Sequence, residues 1–243
     1  MSNPVLSVSD VTIAYEKTDV VFGADFSIES GEMFGLVGLN GAGKTTLIKT
    51  ILGLHSARAG DVRIFGSDNM QVSARRNVVY LPERFDPPWF LSGMEFVKFS
   101  LSLYKQPFNE EEVYKAADKL ALDRAALKRR VQTYSKGMRQ KLGLIGTVLT
   151  RCKFIVLDEP MSGLDPLART LVKDMLLEIK DKDQTILICS HILADLDEIC
   201  GRIAVIHEGA IEFLGTPSAL KTQTGVDVLE RAFLQFIQDK REA

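Results

Sequence analysis

A chain of 243 residues holds one large α/β domain or two small ones, and is long enough to bury a substantial core. Hydrophobic residues make up 46% and charged residues 26%, and the net charge of −2 with a pI near 6.0 gives no electrostatic reason to expect nucleic acid as a partner. No apolar run approaches the roughly 18 to 20 residues of a membrane helix, and Met1-Ser2-Asn3-Pro4 lacks the charged and apolar regions of a signal peptide, so the expectation is a chain that does not cross a bilayer by itself.

Leu6 to Ile13, followed by Tyr15, alternates apolar and polar residues as a half-buried strand does. Val20 to Ile28 offers a second strand, and Glu29-Ser30-Gly31-Glu32 turns into a third, the apolar run Met33 to Val37. Next comes Gly38-Leu39-Asn40-Gly41-Ala42-Gly43-Lys44-Thr45, which fits the phosphate-loop pattern G-x-x-x-x-G-K-[ST] at every required position. Thr46 to Leu52 then reads as a helix that stops at Gly53. Glycines let backbone N–H groups curl around an anion without Cβ interference, and the new helix presents unpaired amides and its positive dipole end. In such a cradle Lys44 reaches the β and γ phosphates, Thr45 offers its hydroxyl to magnesium, and Thr46 is placed for the α phosphate. The alternative is a glycine-rich strand-to-helix turn without a ligand, and the flanking strand and helix favour the cradle.

Val62 to Phe65 and Val78 to Leu81 are short apolar strands bounded by Gly or Pro. From Pro82 the texture changes: Arg84-Phe85-Asp86-Pro87-Pro88-Trp89-Phe90-Leu91 is a proline-broken aromatic stretch, and helices dominate to about Leu149. Phe96, Phe99 and Leu103 recur at helical spacing after Gly93; Asn109 with Glu112 caps Val113 to Leu120, and Asp123 caps a segment running through Arg130. Phe154 to Leu157 is a buried parallel strand ending in Asp158-Glu159-Pro160, followed by a helix from Leu167 to Lys180 with Leu171, Met175 and Ile179 on one face. Thr185 to Cys189 is another buried strand, ending at Ser190-His191. Ile203 to Ile206 and Ile211 to Leu214 flank His207-Glu208-Gly209-Ala210 as a hairpin does, Thr216-Pro217 starts a short helix, and Val228 to Gln238 is a terminal amphipathic one. Cys152, Cys189 and Cys200 form no C-x-x-C pair and read as small buried thiols.

Asp158 and Glu159 close an apolar strand, where alternation sends successive side chains different ways. The first carboxylate suits magnesium; the second suits a general base that takes a proton from attacking water, if it lies opposite the γ phosphate. Two acids ending a strand at the surface is the plainer reading. With the other motifs in order, the chain resembles the nucleotide-binding subunit of an ATP-binding cassette (ABC) transporter over nearly its whole length. Tyr134-Ser135-Lys136-Gly137-Met138 stands where that family has its LSGGQ signature, Ser162-Gly163-Leu164-Asp165 matches its D-loop, His191 its switch histidine, and Tyr15 the aromatic that stacks on adenine.

The resemblance implies an α/β phosphate-loop core with a mixed, largely parallel sheet, an N-terminal antiparallel β part and a helical insert: residues 1–83 and 150–220 as core, 84–149 as helical subdomain and 221–243 as tail. It also implies ATP and Mg2+ as ligands, the metal held by Thr45, Asp158 and Glu83, and hydrolysis in a head-to-tail dimer. In that dimer Ser135 and Gly137 of one subunit close over the γ phosphate held by the other, His191 contacts that phosphate, and Ser162 to Asp165 communicate between subunits. Without the resemblance, Ser135 and Asp165 are N-caps, His191 is a core histidine and Tyr15 a core strand aromatic.

The sequence departs from the family's pattern in places. The signature keeps only its serine and second glycine; Lys136 either adds charge near the phosphates or points to solvent. Glu83 stands where many members carry the Q-loop glutamine and cannot donate a hydrogen bond when ionised, an expected change in coupling or metal preference. These departures and the short tail point to an exporter-like branch. The expected partners are a second copy of the chain and a membrane-spanning permease docking on Phe85, Trp89 and Phe90 at the cytoplasmic face, and no nucleic acid is expected. A soluble ABC ATPase acting on a macromolecular machine is the alternative.

Overall fold

The computed structural model describes residues 4–16, 18–180 and 184–242, so the opening Met1-Ser2-Asn3 lies outside the described residues. In chain order it contains β1 (Leu6–Tyr15), β2 (Thr18–Ile28), β3 (Met33–Val37), α1 (Lys44–Ile51), β4 (Ala59–Ile64), β5 (Ser67–Asp68), α2 (Val72–Arg75), β6 (Val78–Leu81), α3 (Gly93–Leu103) and α4 (Glu110–Lys119). Then come 3₁₀ turns at Ala126–Lys128 and Val131–Thr133, α5 (Lys136–Val148), β7 (Phe154–Asp158), α6 (Pro166–Lys180), β8 (Thr185–Cys189), α7 (Leu193–Ile199), β9 (Arg202–His207), β10 (Ala210–Gly215), α8 (Pro217–Thr224) and α9 (Leu229–Glu242). None of the described helices is long and apolar enough to cross a membrane. The chain divides into two compact units, one made of the segments up to Asn77 and from Thr185 onward, the other of Val78–Gln184.

In the first unit β1 is central to an antiparallel sheet, between β2 and β4, with β5 beyond β4. Its buried positions run Leu6, Val8, then Val11, Ile13. Asp10, at φ 49°, sits in the register shift between Val8 and Val11, so the extra residue switches parity and keeps one face apolar on both sides of the bulge. β3 is buried along its length because it has parallel neighbours on both sides, β8 on one and β9 on the other. β9 returns through β10 by a two-residue turn, Glu208 and Gly209, both at positive φ, the geometry of a tight hairpin. The same hairpin tip meets the antiparallel sheet: the Phe22 amide donates to the Gly209 carbonyl at 2.9 Å. α9 lies on the hairpin with Phe236 edge-on to Phe213.

In the second unit β6 pairs in parallel with β7, Val78 opposite Phe154 through Leu81 opposite Leu157. Helix starts here are set by side chains: Ser92 and Glu95 form a reciprocal capping box on α3, Asn109 caps α4, and Ser135 caps α5.

The helical reading of 123–130 gives way to a single 3₁₀ turn. Asp123 does accept from the Ala125 amide, but the chain leaves the helical region at Arg129. On α3 the buried face is Phe96, Val97 and Leu101, while Phe99 and Leu103 face solvent. On α6 Val172 and Leu176 are fully buried and Leu171 only half. β5 and α2 carry too few residues for a periodic signal. All three cysteines are free and buried.

Candidate functional site

The loop after β3 is shaped by backbone constraints. A Cβ on Gly38 would stand 2.5 Å from the Ile206 carbonyl oxygen, so no other residue lets the chain leave β3 along this path. Gly43, at φ 105°, is the N-cap of α1 and supplies no side-chain hydrogen bond to the helix start. Lys44 follows it and is buried at 8% exposure. Its ammonium donates to the carbonyls of Gly38 at 2.8 Å and Leu39 at 3.0 Å. Among the described residues these carbonyls are the partners of that buried cation, which is thus wrapped inside the loop with an anion's worth of charge left to satisfy. Leu39, Asn40, Gly41 and Thr45 are exposed, Ala42 is buried, and Thr46 is half-buried.

In the second unit Asp158 and Glu159 are both buried, so they do not close the strand at the surface. Parallel pairing puts Tyr80 opposite Val156, and alternation therefore puts Tyr80 on the same face as Asp158. The Tyr80 hydroxyl is directed at Asp158 Oδ2 over a long 3.5 Å. Glu159 holds a left-handed backbone, φ 51°, and its carbonyl accepts from the Ser162 amide at 3.1 Å. That conformation is costly for a residue with a Cβ and persists only where its surroundings enforce it.

Ser135 is exposed and caps α5, accepting from the Met138 amide at 3.2 Å. The Tyr134 that precedes it, in place of the family's leucine, is buried and donates to the Ala126 carbonyl at 2.7 Å; burial pushes its phenol pKa up to about 12. Lys136 is exposed, and its side chain lies over Gly163, where an added Cβ would be 3.2 Å from Cδ and Cε. Gly137 faces Leu164 and Gly163 in the same way. Ser135, Lys136, Gly137, Gly163, Leu164 and Asp165 thus share one cleft of about 610 Å3. Asp165 caps α6, its Oδ1 accepting from the Ala168 amide at 2.9 Å.

Glu83 is exposed and lines a second cleft of about 480 Å3 with Phe85, Lys136, Arg139 and Gln140. Arg84 and Asp86 line the same cleft. The three aromatics proposed as a docking surface separate. Trp89 and Phe90 are 63% and 57% exposed, whereas Phe85 packs inward, edge-on to Phe96 at 5.4 Å and against Gly143. Tyr15, back in the first unit, is 45% exposed and edge-on to His55 at 4.8 Å, so it does not face the core. His191 follows β8 next to the buried Ser190, whose hydroxyl accepts from the Ile192 amide, and is itself exposed, which removes the core-histidine reading.

Two residues of the site escaped the sequence. Tyr80 becomes visible only once the β6 to β7 register is known. Gln140, buried on α5 with Nε2 donating 3.0 Å to the Pro160 carbonyl, stands between Arg139 and Lys141 in the sequence, so no local pattern marked it as buried.

The ABC transporter family model matches residues 21–162. An uncharacterized ABC transporter ATP-binding protein of Synechocystis is 37% identical over 199 residues, covering 81% of this chain and 56% of that protein, so the chain spans a little over half of that relative's length. A fluoroquinolones export ATP-binding protein of Mycobacterium tuberculosis is 33% identical over 224 residues, 89% of this chain and 72% of that one. A solved structure of an ATP binding subunit of an ABC transporter superposes with a TM-score of 0.86 at 30% identity, covering 96% of this chain and 99% of the other. The antiparallel sheet around β1 and the parallel strands around β3 are those of the ABC ATPase fold. The chain therefore belongs to the ABC transporter family and carries its ATPase domain.

Proposed function

We propose that this chain binds MgATP and hydrolyses it as a head-to-tail dimer, driving transport by a separate membrane permease in the export direction. The observation that carries the reading is Lys44, a buried ammonium ringed by two carbonyls at the uncapped start of a helix. Such a site calls for a polyphosphate.

In the reaction, water attacks the γ phosphorus, the bond to the β–γ bridging oxygen breaks, and ADP, inorganic phosphate and one proton result. Glu159 accepts the proton of the attacking water. Lys44 and the loop amides hold the β and γ phosphates, His191 stabilises charge on the γ phosphate, and Tyr15 stacks on adenine. Ser135 and Gly137 bind the γ phosphate held by the second copy, and Ser162, Gly163, Leu164 and Asp165 meet that copy at the dimer face. Mg2+, when bound, neutralises phosphate charge; the hydroxyl of Thr45 and the carboxylates of Asp158 and Glu83 are oxygen donors of the hard type it takes.

Export is supported by the Mycobacterium relative, which is named a fluoroquinolones export ATP-binding protein, and by Glu83 and the altered signature. Trp89 and Phe90 are the apolar surface we assign to the permease, on the cytoplasmic face of the membrane. Phosphate release from MgATP by the purified chain, and its loss in Glu159→Gln, tests the reading. Absence of any turnover, alone or with a copurifying permease, would overturn it.

A further inference from the structure

Pro160 is buried, so its carbonyl has no water to fall back on and depends on the Gln140 amide for its hydrogen bond. It follows directly on Glu159, whose left-handed backbone has to be held by its surroundings. The rest of the turn is gripped by the same helix: Lys136 lies over Gly163, and Gly137 meets Leu164. α5 therefore holds the loop 159–165 near both of its ends, and Ser135 is the N-cap of that helix.

We propose that Gln140 is a positioning residue for hydrolysis: through Pro160 it fixes the backbone of Glu159, and so the direction of the carboxylate, and it ties that direction to the position of Ser135. The inference rests on the reading of Glu159 as general base. A nucleotide bound against Ser135 by the second copy then bears on the first copy's own glutamate within one rigid piece of chain.

The test is steady-state ATP hydrolysis with equilibrium ATP binding on the full chain. Gln140→Leu should lower kcat about 10- to 100-fold, the scale of a small misplacement of a catalytic group, with ATP affinity held. In the Glu159→Gln background it should add no further loss, because both changes disable one function. Gln140→Glu gives a readout that plain packing does not. Burial raises the introduced carboxyl's pKa, and only its protonated form donates to Pro160, so kcat relative to the parent should be kept near about pH 6 and fall toward about pH 9. Parental kcat in Gln140→Leu, a further loss in the Glu159→Gln background, or a flat pH ratio in Gln140→Glu would each overturn the inference; should Gln140→Leu fail to fold, the Gln140→Glu series decides. A parent chain without MgATP turnover would overturn the proposed function together with this inference, whereas variants that match an active parent overturn this inference alone.

Discussion

The ammonium of Lys44 donates 2.8 Å to the carbonyl of Gly38, closing the phosphate loop upon its own lysine. A charge so buried is stabilised by an anion more than by dipoles alone. Lys44→Ala should weaken ATP binding by roughly 30- to 100-fold, the equivalent of losing one charge-assisted contact, measured by titration with a fluorescent nucleotide.

Glu159→Gln should keep ATP binding and slow hydrolysis by about 10²- to 10⁴-fold, the span of general-base catalysis. On the proposed dimer, in which hydrolysis separates the subunits, MgATP should shift the variant to a dimer in size-exclusion chromatography. A variant that hydrolyses at the parental rate removes Glu159 from the role of base.

Ser135 has a structural and a proposed chemical task, and one substitution separates them. Asn is as good an N-cap as Ser, so Ser135→Asn should leave the melting temperature close to the parent's, whereas Ser135→Ala should cost about 1 kcal/mol. If the hydroxyl meets the γ phosphate held by the second copy, both variants lose turnover. Full turnover in Ser135→Asn would leave the serine as a cap and nothing more.

Burial raises the phenols of Tyr134 and Tyr104 from an ordinary value near 10 to about 12, that of Tyr104 with a smaller push from Cys152. The folded state keeps these protons after the unfolded state has lost them, so their contribution to stability is complete below pH 10 and drains away as the pH rises toward 12. Denaturant unfolding followed across that window should show stability falling, and less steeply in Tyr134→Phe or Tyr104→Phe.

What the sequence determined by itself was whatever depends on neighbouring residues. The strand, loop and helix from Met33 through Ile51 were legible because periodicity and glycine placement act over a few residues, and β6 and β8 matched residue for residue for the same reason. The family resemblance added the order of the motifs, and the domain that order implies is the one found. Only the tertiary structure decided which face of an irregular or ambiguous segment is buried. It turned Phe85 inward while leaving Trp89 and Phe90 outside, kept Tyr15 at the surface, laid Lys136 along Gly163, and joined Gln140 to Pro160. These outcomes depend on partners distant in sequence, and burial is settled by the packing of such partners, to which no local pattern responds.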